Sequence, residues 1–224
     1  MGVGKIKNFN VECFISHLRS LTCSLPIPAA LSIIDSFGRD PFLILISCIL
    51  SLRTRDTISF PASMRLFSHA RTPQDILKIP SSLLEKLIFP VGFYKQKTLH
   101  IKEICIVLLK KYKGLVPSDQ KKLLGLKGVG LKTAHLVLGL GFGIPALCVD
   151  THVHRISNEL GLVDTKTADE TEAALQKVIP QKYWIEFNTL LVMWGQNMCP
   201  AHVKKCKGCR LQKICLRNNE RESF

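Results

Sequence analysis

Leu126–Val137 reads LKGVGLKTAHLV, a helix end, a tight turn and a new helix in one short stretch. The preceding SDQKKLLGL supplies the first helix, Gly128-Val129-Gly130 the turn, and LKTAHLVLGLGFG the second helix. Glycine permits the turn because it lacks a Cβ. Turn amides and the N-terminus of the second helix together suit a phosphate oxygen. Lys132 is out of place by the same logic. It falls in the first helical turn, at the positive end of the dipole, where a cation costs on the order of a few tenths of a kcal/mol. Such a lysine is either solvated or kept for its amine. A docked anion would offset the dipole, and Lys127, just before the turn, adds a second cation. Taken alone, a GVG turn is also a common left-handed connector between helices.

The 224 residues are 46% hydrophobic, 21% charged and 7% aromatic, enough for one good core or two modest ones. The formal net charge is +14. An excess of that size attracts polyanions, nucleic acid above all, with an anionic membrane surface as the competing reading. The longest apolar run, FLILISCILSL from Phe42, is far short of the roughly 20 residues that span a bilayer. Ser47 and Ser51 interrupt it, so a buried core helix is expected. The N-terminal MGVGKIKNF has no apolar signal-peptide core, and Ile6 stands where a myristoylation site needs Ser or Thr. Nine cysteines without a signal peptide point to an intracellular, reducing compartment rather than a disulfide framework.

Helical periodicity runs through the chain, and no segment alternates with the two-residue period of a half-buried strand. Helices are expected over Val11–Leu21, from Pro41 to about Leu52, over Tyr94–Tyr112, over THVHRISNEL and over KYWIEFNTLLVMWGQ. Shorter ones are expected near Pro73 and Ser81, and Pro61 either kinks a helix or marks its start. SLPIPAA reads as a break. The expected fold class is all-α. Breaks near Pro26 and Pro145 frame a helical middle, and we expect a six-helix domain with the hairpin over 35–144. Residues 1–34 and 145–224 are expected to form a second helical domain from both termini.

Two further stretches carry chemistry. In VDTH, Asp150 reads as an N-cap for the helix that follows, a role compatible with a chemical one. Paired with Lys132 in one cleft, its carboxylate could stabilise positive charge developing on a sugar ring. A lysine nucleophile must be neutral, and desolvation and a helix N-terminus both favour the neutral amine. Near the C-terminus, Cys199, Cys206, Cys209 and Cys215 follow a C-x6-C-x2-C-x5-C spacing. Four thiolates in one loop suit an iron–sulfur cluster or a structural zinc, although zinc ribbons carry two close pairs and only Cys206 and Cys209 form one here. Lys204, Lys205, Lys207, Arg210 and Lys213 make the same loop basic, suited to phosphates.

Together, LKGVGLKTA, VDTH eighteen residues after the lysine, and the cysteine loop resemble the endonuclease III family. These are helix–hairpin–helix DNA glycosylases with a [4Fe–4S] cluster. The resemblance covers about Pro41 to Cys215, including LSLRTRD and PVGFYKQK. It implies two helical domains with a DNA cleft between them, and a monomer that removes oxidised pyrimidines from duplex DNA. It further implies β-elimination at the abasic site, with Lys132 as nucleophile and Asp150 assisting. The four cysteines would hold the cluster. Lys127, Gly128, Val129 and Gly130 would meet the backbone, and His152, within VDTH, would steady the cleft beside the DNA. Arg53 stands where many members have glutamine, and Phe93 where some have a leucine wedge; a core role is the other reading of Phe93. Lys127 replaces the proline of the commoner LPGVG turn, which loosens the turn and favours a phosphate.

Three other functions fit parts of this pattern. Monofunctional mismatch or adenine glycosylases share the fold and cluster, but Lys132 argues against both, and the expected lack of a C-terminal extension argues against the adenine-specific type. A non-catalytic iron–sulfur DNA-binding protein would need neither Lys132 nor Asp150. A zinc-stapled basic module would be colourless.

Overall fold

The computed structural model describes residues 10–201, 206, 208–212 and 215. Among them every regular element is helical, and no helix is long and apolar enough to cross a membrane. The chain divides into two compact units, one from 1–26 with 147–224 and one from 27–146.

The first unit begins with α1 (Val11–Thr22), started by Asn10, whose side chain accepts from the Cys13 amide at 2.9 Å. The middle unit carries α2 (Ala29–Phe37), α3 (Pro41–Ser51), α4 (Asp56–Phe67), α5 (Pro73–Lys78) and α6 (Ser81–Ile88). It continues with α7 (Tyr94–Tyr112), α8 (Gln120–Leu124) and α9 (Leu131–Leu136), which runs directly into a π-helical turn at Val137–Gly141. The first unit resumes with α10 (Thr151–Glu159), α11 (Ala168–Val178), a 3-10 turn (Gln181–Tyr183) and α12 (Trp184–Asn197).

The apolar run behaves as its composition predicts. Asp40 caps α3 by accepting from the Phe42 and Leu43 amides, Pro41 fits the first turn, and every residue from Phe42 to Leu50 is buried. Around α3 pack α2, α4, α7, α9 and the π turn. At the π turn a Cβ on Gly141 would lie 3.2 Å from Pro41 Cα, so the glycine permits the close approach.

Three expectations need correction. The break read at SLPIPAA holds only to Pro28, because α2 begins at Ala29. Its cap is supplied from a distance: the Ala29 amide donates to Asp56 Oδ2 at 3.1 Å. A boundary between 34 and 35 would cut α2, and the division falls instead between 26 and 27 and between 146 and 147. The middle unit also holds more than the six helices expected, since α2 and the short α8 belong to it. Of the two readings of Pro61, the interior position holds, since it lies inside α4.

In the terminal unit one core gathers Ile15 and Leu18 of α1 with Val153 and Ile156 of α10, Leu175 of α11 and Phe187, Leu191 and Trp194 of α12. Exposed ion pairs, Arg19–Glu186 and Lys182–Glu12, add to the contact of α1 with the C-terminal helices. Such pairs contribute little, so the apolar face of α1 holds it in place.

Candidate nucleic-acid site and cysteine loop

The hairpin lies between α8 and α9. Asp119 starts α8 by accepting from the Lys122 amide at 2.9 Å. Leu123 and Leu126 point into the core, and Val129 joins them, with its amide donating back to Leu126 O at 3.1 Å. Val129 therefore closes the turn; its side chain and amide are turned inward rather than toward solvent. Gly128 adopts φ +74°, and a Cβ there would come within 2.8 Å of His100 Nδ1 on α7. Two independent constraints thus require glycine at 128. Gly130 is the N-cap of α9, where no side chain supplies a cap. Lys127, Gly128, Gly130 and Lys132 are all exposed on this side of the hairpin.

Lys132 projects from the first turn of α9 while the next residues, Thr133 and Ala134, are buried. Beneath it, burial on α3 pushes the Cys48 thiol up to about 12, with the Lys132 charge acting against that shift. Lys132 itself is exposed, against the burial expected for a desolvated amine. His135, on the same helix, is a packing residue with Nε2 3.3 Å from Gln120 Oε1, so it ties α9 to α8.

Two loop tips in the middle unit carry Arg53 and Phe93. Both adopt left-handed backbone, φ 52° and 58°, uncommon outside glycine and enriched at functional sites. Phe93 is 61% exposed, which excludes the core reading. The guanidinium carbon of Arg53 lies 6.0 Å from the Phe93 ring centroid. Gly92 allows this pairing of loops: a Cβ there would sit 3.2 Å from Arg53 O.

In the terminal unit Asp150 is the N-cap of α10, with Oδ1 accepting from the His152 and Val153 amides at 2.9 Å each. It is 9% exposed. His152 is half-buried and faces α12, where a Cβ on Gly195 would come within 2.5 Å of its Nδ1. The imidazole therefore packs α10 onto α12 while remaining partly exposed. Where α10 ends, Arg155 Nη1 donates to Glu159 Oε2 at 3.0 Å and to Cys199 Sγ at 3.4 Å.

The cysteine loop follows α12. Cys199, Cys209 and Cys215 pack against the terminal core, and all four thiols are half-buried and outside any disulfide. Glu159 draws two of them together: Cys199 Sγ lies 3.6 Å from its carboxylate, and Cys215 Sγ 3.4 Å from its carbonyl oxygen. Burial pushes the Cys199 thiol up, opposed by Arg155. Among the described residues no group of three or more His, Cys, Asp or Glu side chains is gathered in metal-binding geometry. The donors fit an iron–sulfur cluster by chemistry and place in the fold. Of the loop's basic residues, Arg210 is exposed, while Lys204, Lys205, Lys207 and Lys213 lie outside the described residues.

Residues 46–181 match the HhH-GPD superfamily base excision DNA repair protein family. The Thermotoga maritima endonuclease III is 48% identical over 176 residues, covering 79% of this chain and 83% of that protein. Longer plant and vertebrate endonuclease III homologues also match, and the chain spans 47% to 63% of their lengths. A solved non-covalent endonuclease III–DNA complex superposes with a TM-score of 0.86 at 31% identity, over 98% of this chain and 100% of that one. A trapped endonuclease III–DNA covalent intermediate superposes at 0.82, also 31% identical, over 96% and 99%. Helical architecture, hairpin and matched span agree: the chain belongs to the HhH-GPD superfamily and, within it, to the endonuclease III family.

Proposed function

We propose that this protein is a bifunctional DNA glycosylase and AP lyase of base excision repair, acting on oxidised pyrimidines in duplex DNA. The observation that carries the reading is exposed Lys132, in the first turn of α9 directly after a hairpin whose glycines and Lys127 are exposed as well. The glycines of the hairpin and Lys127 hold a backbone phosphate, whose charge also relieves the dipole beside Lys132. The damaged nucleotide is extruded, because its anomeric carbon is inaccessible within the stack. Bound DNA then excludes water from the amine.

The neutral Lys132 amine attacks C1′, the bond from C1′ to the base breaks, and the base leaves with the bonding electrons. Loss of a proton and ring opening give the Schiff base at C1′. Removal of the C2′ proton then expels the 3′ phosphate by β-elimination, and water releases Lys132. Asp150 stabilises the positive charge on the sugar as the base departs. We assign Arg53 and Phe93 to the gap left by the extruded base, and His152 to packing. Cys199, Cys206, Cys209 and Cys215 would hold a [4Fe–4S] cluster, which when bound supplies a covalent staple for the basic loop. The enzyme would act where DNA and reduced thiols coexist.

Borohydride trapping tests this reading. Wild-type protein should give a covalent adduct with a thymine-glycol duplex and with an abasic duplex, and Lys132→Gln should give neither. An adduct on the abasic duplex alone would leave the lyase and reopen the choice of base. No wild-type adduct on either duplex, with binding intact, would end the lysine mechanism.

A further inference from the structure

Lys97 lies one turn into α7, four residues after Phe93, and is 5% exposed. Its ammonium donates to Leu50 O at 2.8 Å, to Leu52 O at 2.6 Å and to Thr54 Oγ1 at 3.2 Å. An ammonium has three protons, and these acceptors take all of them. Two are carbonyls at the C-terminus of α3, the end of a helix that favours a cation. The third, Thr54 Oγ1, also accepts from the Gly92 amide at 3.2 Å. One buried charge therefore joins the end of α3, the 52–54 turn that carries Arg53 and the 91–93 turn that carries Phe93.

The arrangement is costly to build. Burial pushes the Lys97 ammonium down to about 8. A leucine or methionine would fill the space without burying a charge. Left-handed backbone at Arg53 and at Phe93 also persists only where the surroundings over-determine it. Capping α3 accounts for the two carbonyl contacts, but neither for the third contact nor for the left-handed tips. Both become intelligible if the two tips must hold a fixed separation while inserted into a duplex.

We propose that Lys97 is a positioning residue for base extrusion: it locks the Arg53 and Phe93 tips into one rigid two-pronged wedge without itself touching DNA. This rests on the glycosylase reading above. A flexible wedge would spend binding energy on ordering its own tips, and that penalty falls on the step that opens the stack. Chemistry at an already vacant sugar depends on the wedge much less, since no base has to be unstacked.

The test compares two duplexes under single-turnover conditions, one with thymine glycol and one with a preformed abasic site. Lys97→Met keeps the length of the stem and removes the charge and its three hydrogen bonds. It should slow base excision by at least about tenfold while changing strand cutting at the abasic site by no more than about twofold. Thr54→Val, at a half-buried position, removes one acceptor and the Gly92 contact and should show the same split more weakly, which guards against Lys97→Met failing to fold. In a Phe93→Ala background the effect of Lys97→Met should largely vanish, because the two act through one element. A thermal melt of each variant identifies any that is simply unfolded.

Equal slowing on both duplexes for both Lys97→Met and Thr54→Val would overturn the proposal, as would an undiminished Lys97→Met effect in the Phe93→Ala background. A wild-type protein inactive on both duplexes would instead overturn the glycosylase reading, and this proposal with it.

Discussion

At Asp150 the cap and the proposed chemistry draw on different properties of one side chain. The cap needs an acceptor oxygen 2.9 Å from the His152 and Val153 amides, whereas charge stabilisation needs a carboxylate. Asparagine supplies the first without the second, and caps as well as aspartate. Asp150→Asn should therefore melt within about 0.5 kcal/mol of wild type, while Asp150→Ala loses about 1 kcal/mol. Both should slow base excision on the order of a hundredfold, the cost of removing one stabilising group from a charged transition state. Paired thermal melts and single-turnover assays separate the two roles, and an Asp150→Asn variant with full activity would leave Asp150 only the cap. Asp150 and Lys132 stood out in the sequence because capping and dipole rules are local. Lys97 did not, since its acceptors lie 43 to 47 residues away and nothing in PVGFYKQK marks which lysine is buried.

At the scale of elements, cations close helix ends in the middle unit. Lys97 takes carbonyls at the end of α3, Lys102 Nζ donates to Ile79 O at 2.7 Å just past α5, and Arg65 Nε donates to Leu87 O at 3.0 Å in the last turn of α6. Each meets the negative end of a dipole and satisfies a carbonyl that the helix leaves open. Lys102→Met should accordingly lower stability by about 1.5 to 3 kcal/mol, the range for a hydrogen bond to a charged group, and denaturant titration measures it. An unchanged midpoint would show that solvent already satisfies Ile79 O. Long helices such as α1, α3 and α7 were legible from periodicity, the first two with local caps at Asn10 and Asp40. The α2 helix was not, because its amide is capped by Asp56 on a later element. The π turn was not either: its geometry answers the contact of Gly141 with Pro41, which no local pattern encodes.

For the whole molecule these caps change the meaning of the +14 charge. The sequence read the excess as a field for polyanions, yet several cations are committed to carbonyls inside the fold and only solvent-facing ones can release counterions from DNA. Lys127, exposed on the hairpin, belongs to the second kind, and Lys102 to the first. Each phosphate neutralised by a protein cation steepens the dependence of log binding constant on log salt by about 0.9 in duplex DNA. Lys127→Ala should therefore flatten that slope by about 0.9 and weaken binding by a similar factor on undamaged and damaged duplexes, because a phosphate contact carries no sequence or lesion information. Lys102→Met should leave the slope unchanged while lowering the melting temperature. Fluorescence anisotropy on both duplexes across a salt series measures the slopes. If Lys102→Met flattened the slope as much as Lys127→Ala, the division between structural and DNA-facing charge would fail, and the net charge would again act as one undifferentiated field.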